Sequence, residues 1–62
     1  MRDYRVNFYD SQGYGVLVVR AATPEEAAEK ASRYADARWF TVSGCGDYEV
    51  RGGRAVRAAK AS

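Results

Sequence analysis

Ala22-Thr23-Pro24-Glu25-Glu26-Ala27-Ala28 sets the start of a helix and divides the rest of the 62-residue chain into strands before it and strands after it. Thr23 is placed to accept a hydrogen bond from the N–H of the third helical residue, and Glu26 to reach back to the N–H of Thr23. Pro24 takes the first helical position, where its missing N–H is no loss. Glu25 and Glu26 lie where the helix dipole favours negative charge, and Glu26–Lys30 and Glu29–Arg33 have the favourable i,i+4 order. Ala27, Ala31, Tyr34, Ala35 and Arg38 fall on one helical stripe, which predicts a helix from Pro24 to about Ala37.

Upstream, Tyr4, Val6 and Phe8 alternate with Arg5, Asn7 and Tyr9, the period of a strand with one face on a core. Asp10-Ser11-Gln12-Gly13 supplies a turn, with Asp10 able to accept from a backbone N–H ahead and Gly13 free to take positive φ. Tyr14 through Ala21 is the returning strand of a hairpin. Val16 and Val18 point one way and Leu17, Val19 and Ala21 the other, so both faces of this strand want cover. It is expected to be central in its sheet or to meet another chain. Gly15 marks either a bulge or an aromatic ring crossing bare backbone.

Downstream, Trp39-Phe40-Thr41-Val42 reads as a strand, Ser43-Gly44-Cys45-Gly46-Asp47 as a turn, and Tyr48-Glu49-Val50 as a further strand. Gly52-Gly53 suits a two-residue type I′ hairpin, with Ala55-Val56-Arg57 as an optional returning strand or, alternatively, Val56 to Ser62 as the start of a short helix. The expectation is a single small α+β domain over 1–62, of order β-β-α-β(-β), with a three- or four-stranded antiparallel sheet and one helix on one face. Its predicted core is Tyr4, Val6, Phe8, Leu17, Val19, Ala27, Ala31, Tyr34, Phe40, Val42 and Val50.

A chain this short sits near the lower bound for folding without a staple, so nearly every large apolar side chain is expected inside or against a partner subunit. A single cysteine and no histidine exclude an internal disulfide, a Cys/His zinc site and any Ser-His-Asp or Cys-His arrangement. Cys45 reads as a packing thiol, and Glu25, Glu26, Asp10 and Asp47 as cap and turn residues. No catalytic residue, metal ligand, cofactor or small-molecule substrate is expected. Met1 to Arg5 lead directly into strand pattern with no apolar signal stretch, and the longest bulky apolar run is Val16 to Val19, so a cytoplasmic protein without membrane contact is expected.

Charge is unevenly placed. Residues 1–50 carry six basic and eight acidic groups, whereas the hairpin or tail 51–62 carries Arg51, Arg54, Arg57 and Lys60 with no acid. A hairpin tip bearing guanidinium groups is a candidate nucleic-acid contact, and a sheet face with Tyr9, Arg5, Arg20 and Asn7 could stack bases. The same uncovered face, with Tyr9, Tyr14, Val16 and Val18, suits a protein partner or a second copy of the chain, and Trp39 is expected either at the sheet edge or in that interface. The acidic balance over 1–50 favours protein over nucleic acid.

Tyr4-x-Val6-x-Phe8, a glycine turn, Val16-x-Val18 with Val19, and Ala22-Thr23-Pro24-Glu25-Glu26-Ala27 together resemble the opening of small phage and mobile-element proteins of the DpnD/PcfM-like group. The stretch is also similar to the N-terminal part of HicB-type antitoxins, whose strand-turn-strand opens into a helix beginning Thr-x-Glu-Glu-Ala. The likeness covers roughly residues 4 to 35, and Ala21-Ala22 passes straight to Thr23 where the HicB type has a proline-glycine loop. What the resemblance implies is an accessory protein that acts by binding.

Overall fold

Thr23 caps the helix as its spacing predicts: in the computed structural model, which describes residues 1–58, its Oγ1 accepts from the N–H of Glu26 at 3.1 Å. Glu26 reaches back one residue further than expected, its Oε1 accepting from the N–H of Ala22 at 2.8 Å. The helix, α1, spans Pro24–Ala31 and is shorter than its apolar stripe suggests. The Ser32 hydroxyl donates to the Glu29 carbonyl at 2.7 Å, and the N–H groups of Arg33 and Tyr34 turn to the carbonyls three residues back, tightening the last turn. That tightening rotates Tyr34 out of the stripe, leaving it 78% exposed rather than in the core. Arg38 is exposed as well, and Ala27, Ala28, Ala31 and Ala35 form the buried face instead.

Five strands surround that face: β1 (Arg2–Asp10), β2 (Gly13–Ala21), β3 (Trp39–Val42), β4 (Gly46–Arg51) and β5 (Arg54–Arg57). They form one antiparallel sheet of order β2-β1-β3-β4-β5, so the element order is β-β-α-β-β-β and the sheet holds more strands than expected. The returning strand at 54–57 does form, because Gly52 and Gly53 take φ of 58° and 81°, as a type I′ turn requires. The second strand is at one edge of the sheet rather than central. No helix among the described residues is long and apolar enough to cross a membrane.

The first hairpin is closed at Asp10↔Gly13, with Asp10 Oδ1 accepting from the N–H of Gln12 at 2.8 Å and Gly13 at a φ of 115°. Its register sets Tyr4 opposite Val19, Val6 opposite Leu17 and Phe8 opposite Gly15. Leu17 and Val19 therefore share the helix-covered face with Tyr4, Val6 and Phe8, and Val16 and Val18 take the other. The Phe8 ring lies on bare backbone at Gly15, where a Cβ would meet its ring carbons at 2.5 and 2.6 Å.

Phe40, Val42, Tyr48 and Val50 complete the core beside Val6, and the Phe8 and Phe40 rings pack at 5.7 Å between centroids. Tyr48, absent from the predicted core, is among its largest fully buried side chains. Cys45 is half-buried against this core. Alanines on α1 let the helix sit close to the sheet. Its adjacent residues Glu29 and Lys30 reach opposite edges: Glu29 Oε2 accepts from the N–H of Ala55 in β5 at 3.0 Å, and Lys30 Nζ donates to the Arg20 carbonyl in β2 at 2.7 Å. Glu29 is thus engaged with the sheet rather than with Arg33, and Lys30 lies a loose 3.8 Å from Glu26.

Two predictions follow from this packing. Gly15→Ala is expected to destabilise the fold by roughly 1–3 kcal/mol because the Phe8 ring must move. In urea unfolding the loss should shrink when Phe8→Leu is introduced first, and an equal loss in both backgrounds would contradict the ring-on-glycine contact. For Tyr48, burial pushes the phenol above its usual value of 10.0, the Glu25 carboxylate adds to the rise and the Arg57 guanidinium opposes it. The native phenol stays neutral where the unfolded one ionises, so unfolding releases a proton and stability falls as pH rises above about 10. Tyr48→Phe should flatten that alkaline fall relative to the parent, measured as unfolding midpoints from pH 8 to 11.

Candidate binding face

Each strand that sends one set of side chains under the helix sends the alternate set to the opposite side of the sheet, where no described element covers them. On β2 these are Tyr14, Val16, Val18 and Arg20, and on β1 they are Asp3, Arg5, Asn7 and Tyr9, in register as Tyr9↔Tyr14, Asn7↔Val16, Arg5↔Val18 and Asp3↔Arg20. β3 adds Trp39 and Thr41, with Thr41 opposite Asn7, and β4 adds Asp47 and Glu49. All five residues expected at a protein interface, Tyr9, Tyr14, Val16, Val18 and Trp39, therefore lie on one surface.

Their exposure is high for apolar side chains, 46% for Val16, 65% for Val18 and 47% for Trp39. The Tyr9 and Tyr14 rings meet edge to face with centroids 5.1 Å apart. Trp39 does not lie at the sheet edge but on its middle strand, and with Tyr9, Tyr14, Asn7 and Thr41 it lines a solvent-open depression of about 440 Å³. At the centre of this group the Asn7 carboxamide oxygen is buried and accepts no hydrogen bond. Thr41, its cross-strand neighbour, already donates its hydroxyl proton to Asp47 Oδ1 at 3.0 Å. A buried acceptor in that state is destabilising in the free protein.

The basic residues of the C-terminal hairpin do not converge on one surface. Arg51 and Arg54 pair across the turn on the open side, with Arg51 bound to Glu49 Oε2 at 3.1 Å. Arg57 pairs with the core residue Tyr48 and extends its guanidinium over Gly46, on the helix side. Lys60 lies outside the described residues. Val56, opposite Glu49 and 61% exposed, belongs to the open face although the sequence reading did not single it out. Its alternation with Ala55 and Arg57 is the signal that identifies it, as the place of Thr41 between Phe40 and Val42 identifies Thr41.

Comparison with protein-family models, with curated proteins and with solved structures finds no match.

The orphaned acceptor yields a prediction. Asn7→Val removes it and places a β-branched residue in a strand, so the free protein should gain on the order of 1 kcal/mol. Thermal unfolding checks this, and a lower midpoint would show that Asn7 is satisfied in the free protein.

Proposed function

We propose that this chain is a small non-enzymatic accessory protein that acts by protein–protein recognition, receiving its partner on the open sheet face. The observation that carries this reading is the contiguous exposed surface of Tyr9, Tyr14, Val16, Val18 and Trp39. Aromatic and branched aliphatic side chains of this kind anchor interfaces when they sit inside a polar rim. Arg5, Arg20, Asp3, Asp47 and Glu49 supply such a rim, with charges of both signs to set orientation. The resemblance of residues 4 to 35 to small phage and mobile-element proteins and to HicB-type antitoxins agrees with a role in binding.

Nucleic-acid binding through Arg51, Arg54, Arg57 and Lys60 draws less support. The described guanidinium groups are divided between the two sides of the sheet, and acids outnumber bases over residues 1–50.

Photo-crosslinking in the cell of origin tests the reading. A photoreactive residue at Tyr9 or at Val18 should give an adduct with one and the same protein, and one at Glu25, on the helix side, should give none. Val18→Asp in a second experiment should abolish the Tyr9 adduct with the fold intact by circular dichroism. Equal labelling from Glu25, or none from the sheet face, would overturn the assignment.

A further inference from the structure

We infer that the free edge of β2 pairs antiparallel with β2 of a second copy, about a two-fold axis at Leu17. This inference concerns the edge of the sheet rather than its open face, and it stands or falls separately from the reading above.

The hydrogen-bonding phase of β2 follows from contacts elsewhere in the sheet. The Arg5 carbonyl accepts from the N–H of Ser43 at 2.9 Å, so Arg5 and the residues in phase with it on β1 turn their backbone groups toward β3. The β1–β2 bonds are then made at Tyr4↔Val19, Val6↔Leu17 and Phe8↔Gly15, because bonded and non-bonded pairs alternate in an antiparallel ladder. Tyr14, Val16, Val18 and Arg20 consequently direct their N–H and C=O groups to the edge. The Lys30 contact with the Arg20 carbonyl agrees with that phase.

The two edges of the sheet differ. β5 is four residues long, carries Arg54 and Arg57, and has the outward N–H of Ala55 occupied by Glu29. β2 is nine residues long, and from Gly13 to Val19 it has no charge and no proline. Proteins that remain monomeric blunt such an edge with a charge, a proline or a bulge. Among the described residues Lys30 guards one carbonyl at one end of β2, and Tyr14, Val16 and Val18 are left unguarded.

Self-pairing about Leu17 matches both the phase and the side chains. It sets Val16 opposite Val18 of the second copy, and the reciprocal, as bonded pairs in which each residue exchanges both of its backbone bonds. Tyr14 falls opposite Arg20 of the second copy, so the guanidinium meets an aromatic ring and not a like charge. The two Arg20 side chains end up at opposite ends of the seam, about 20 Å apart for six residues at 3.4 Å each. On the helix side Leu17 meets Leu17 of the second copy, which covers a side chain that is only partly buried in one chain.

A groove lies where this contact would form, along β2 and the end of α1, between Leu17, Val19, Lys30, Arg33 and Tyr34. Opposite Val19 and Ala21 the second copy presents its own Gly15 and Gly13, so no bulky side chain of that strand meets the overhanging helix end. The joined sheets make the two open faces one continuous surface.

Val16→Pro tests the pairing, because it removes an N–H that points to the edge and is not used within the chain. Sedimentation equilibrium of the parent should show the mass rising with concentration from 6.9 kDa toward twice that value. Val16→Pro should stay monomeric with an unchanged circular dichroism spectrum. A parent monomeric into the millimolar range, or a dimer undiminished in folded Val16→Pro, would overturn the inference. Should that variant not fold, amide exchange of the parent at two concentrations decides: protection of the Val16 and Val18 N–H groups should rise at least tenfold with dilute-to-concentrated passage, and concentration-independent exchange would overturn the pairing.

Discussion

One helix of eight residues has to shelter one side of five strands, and the alanine face of α1 makes this possible. Alanine contributes little transfer free energy itself, but it lets the helix backbone come close enough for Phe40, Val6, Val42 and Tyr48 to close over one another. The same closeness allows consecutive helical residues to act in opposite directions, Glu29 on the β5 edge and Lys30 on the β2 edge. Both are charge-assisted bonds to main-chain groups that an edge strand would otherwise offer to water or to another chain. With its only helix committed to one side, the described part of the chain has nothing left to lay over the other.

That division shapes the energetics of the protein. A chain of 62 residues has a narrow margin between apolar burial and the entropy of ordering, and it still leaves Tyr9, Tyr14, Val16, Val18, Trp39 and Val56 substantially in water. It also leaves the Asn7 oxygen shut away without a donor in the middle of that group. Neither feature stabilises the isolated molecule, and the exposed apolar side chains become favourable when a complementary surface covers them. The proposed interface accounts for the first: apolar side chains lose water, and the mixed charges around them set orientation.

Local chemistry made much of this legible in the sequence. The cap at Thr23, the Asp10 turn and the Gly52-Gly53 hairpin depend on residues a few positions apart, and each forms as its spacing predicts. At Gly15 the sequence left a bulge and an aromatic crossing as alternatives, and the register that brings Phe8 opposite it decides for the crossing. Tyr34 was misread because its stripe assumes an ideal helix through residue 37, whereas Ser32 bonds back to the Glu29 carbonyl and the turn tightens. Tyr48 lies two residues before Val50 and alternation puts both on one face, so the signal for its side was present; its complete burial depends on β4 lying between β3 and β5, an order that no nearby residue encodes.

The residues proposed for the interface show the same split. Alternation alone separates Val16 and Val18 from Leu17 and Val19, since successive strand residues must face opposite ways. Which set goes under the helix was decided by the register Tyr4↔Val19, and the place of β2 at the edge by β1 pairing with β3 on its other side. By itself, then, the sequence determined where elements begin, how they turn and which side chains travel together, because those depend on neighbours along the chain. Only the tertiary structure decided which face stays in water and which strand keeps an unpaired edge, because both depend on partners far apart in sequence competing for the same helix and the same hydrogen bonds.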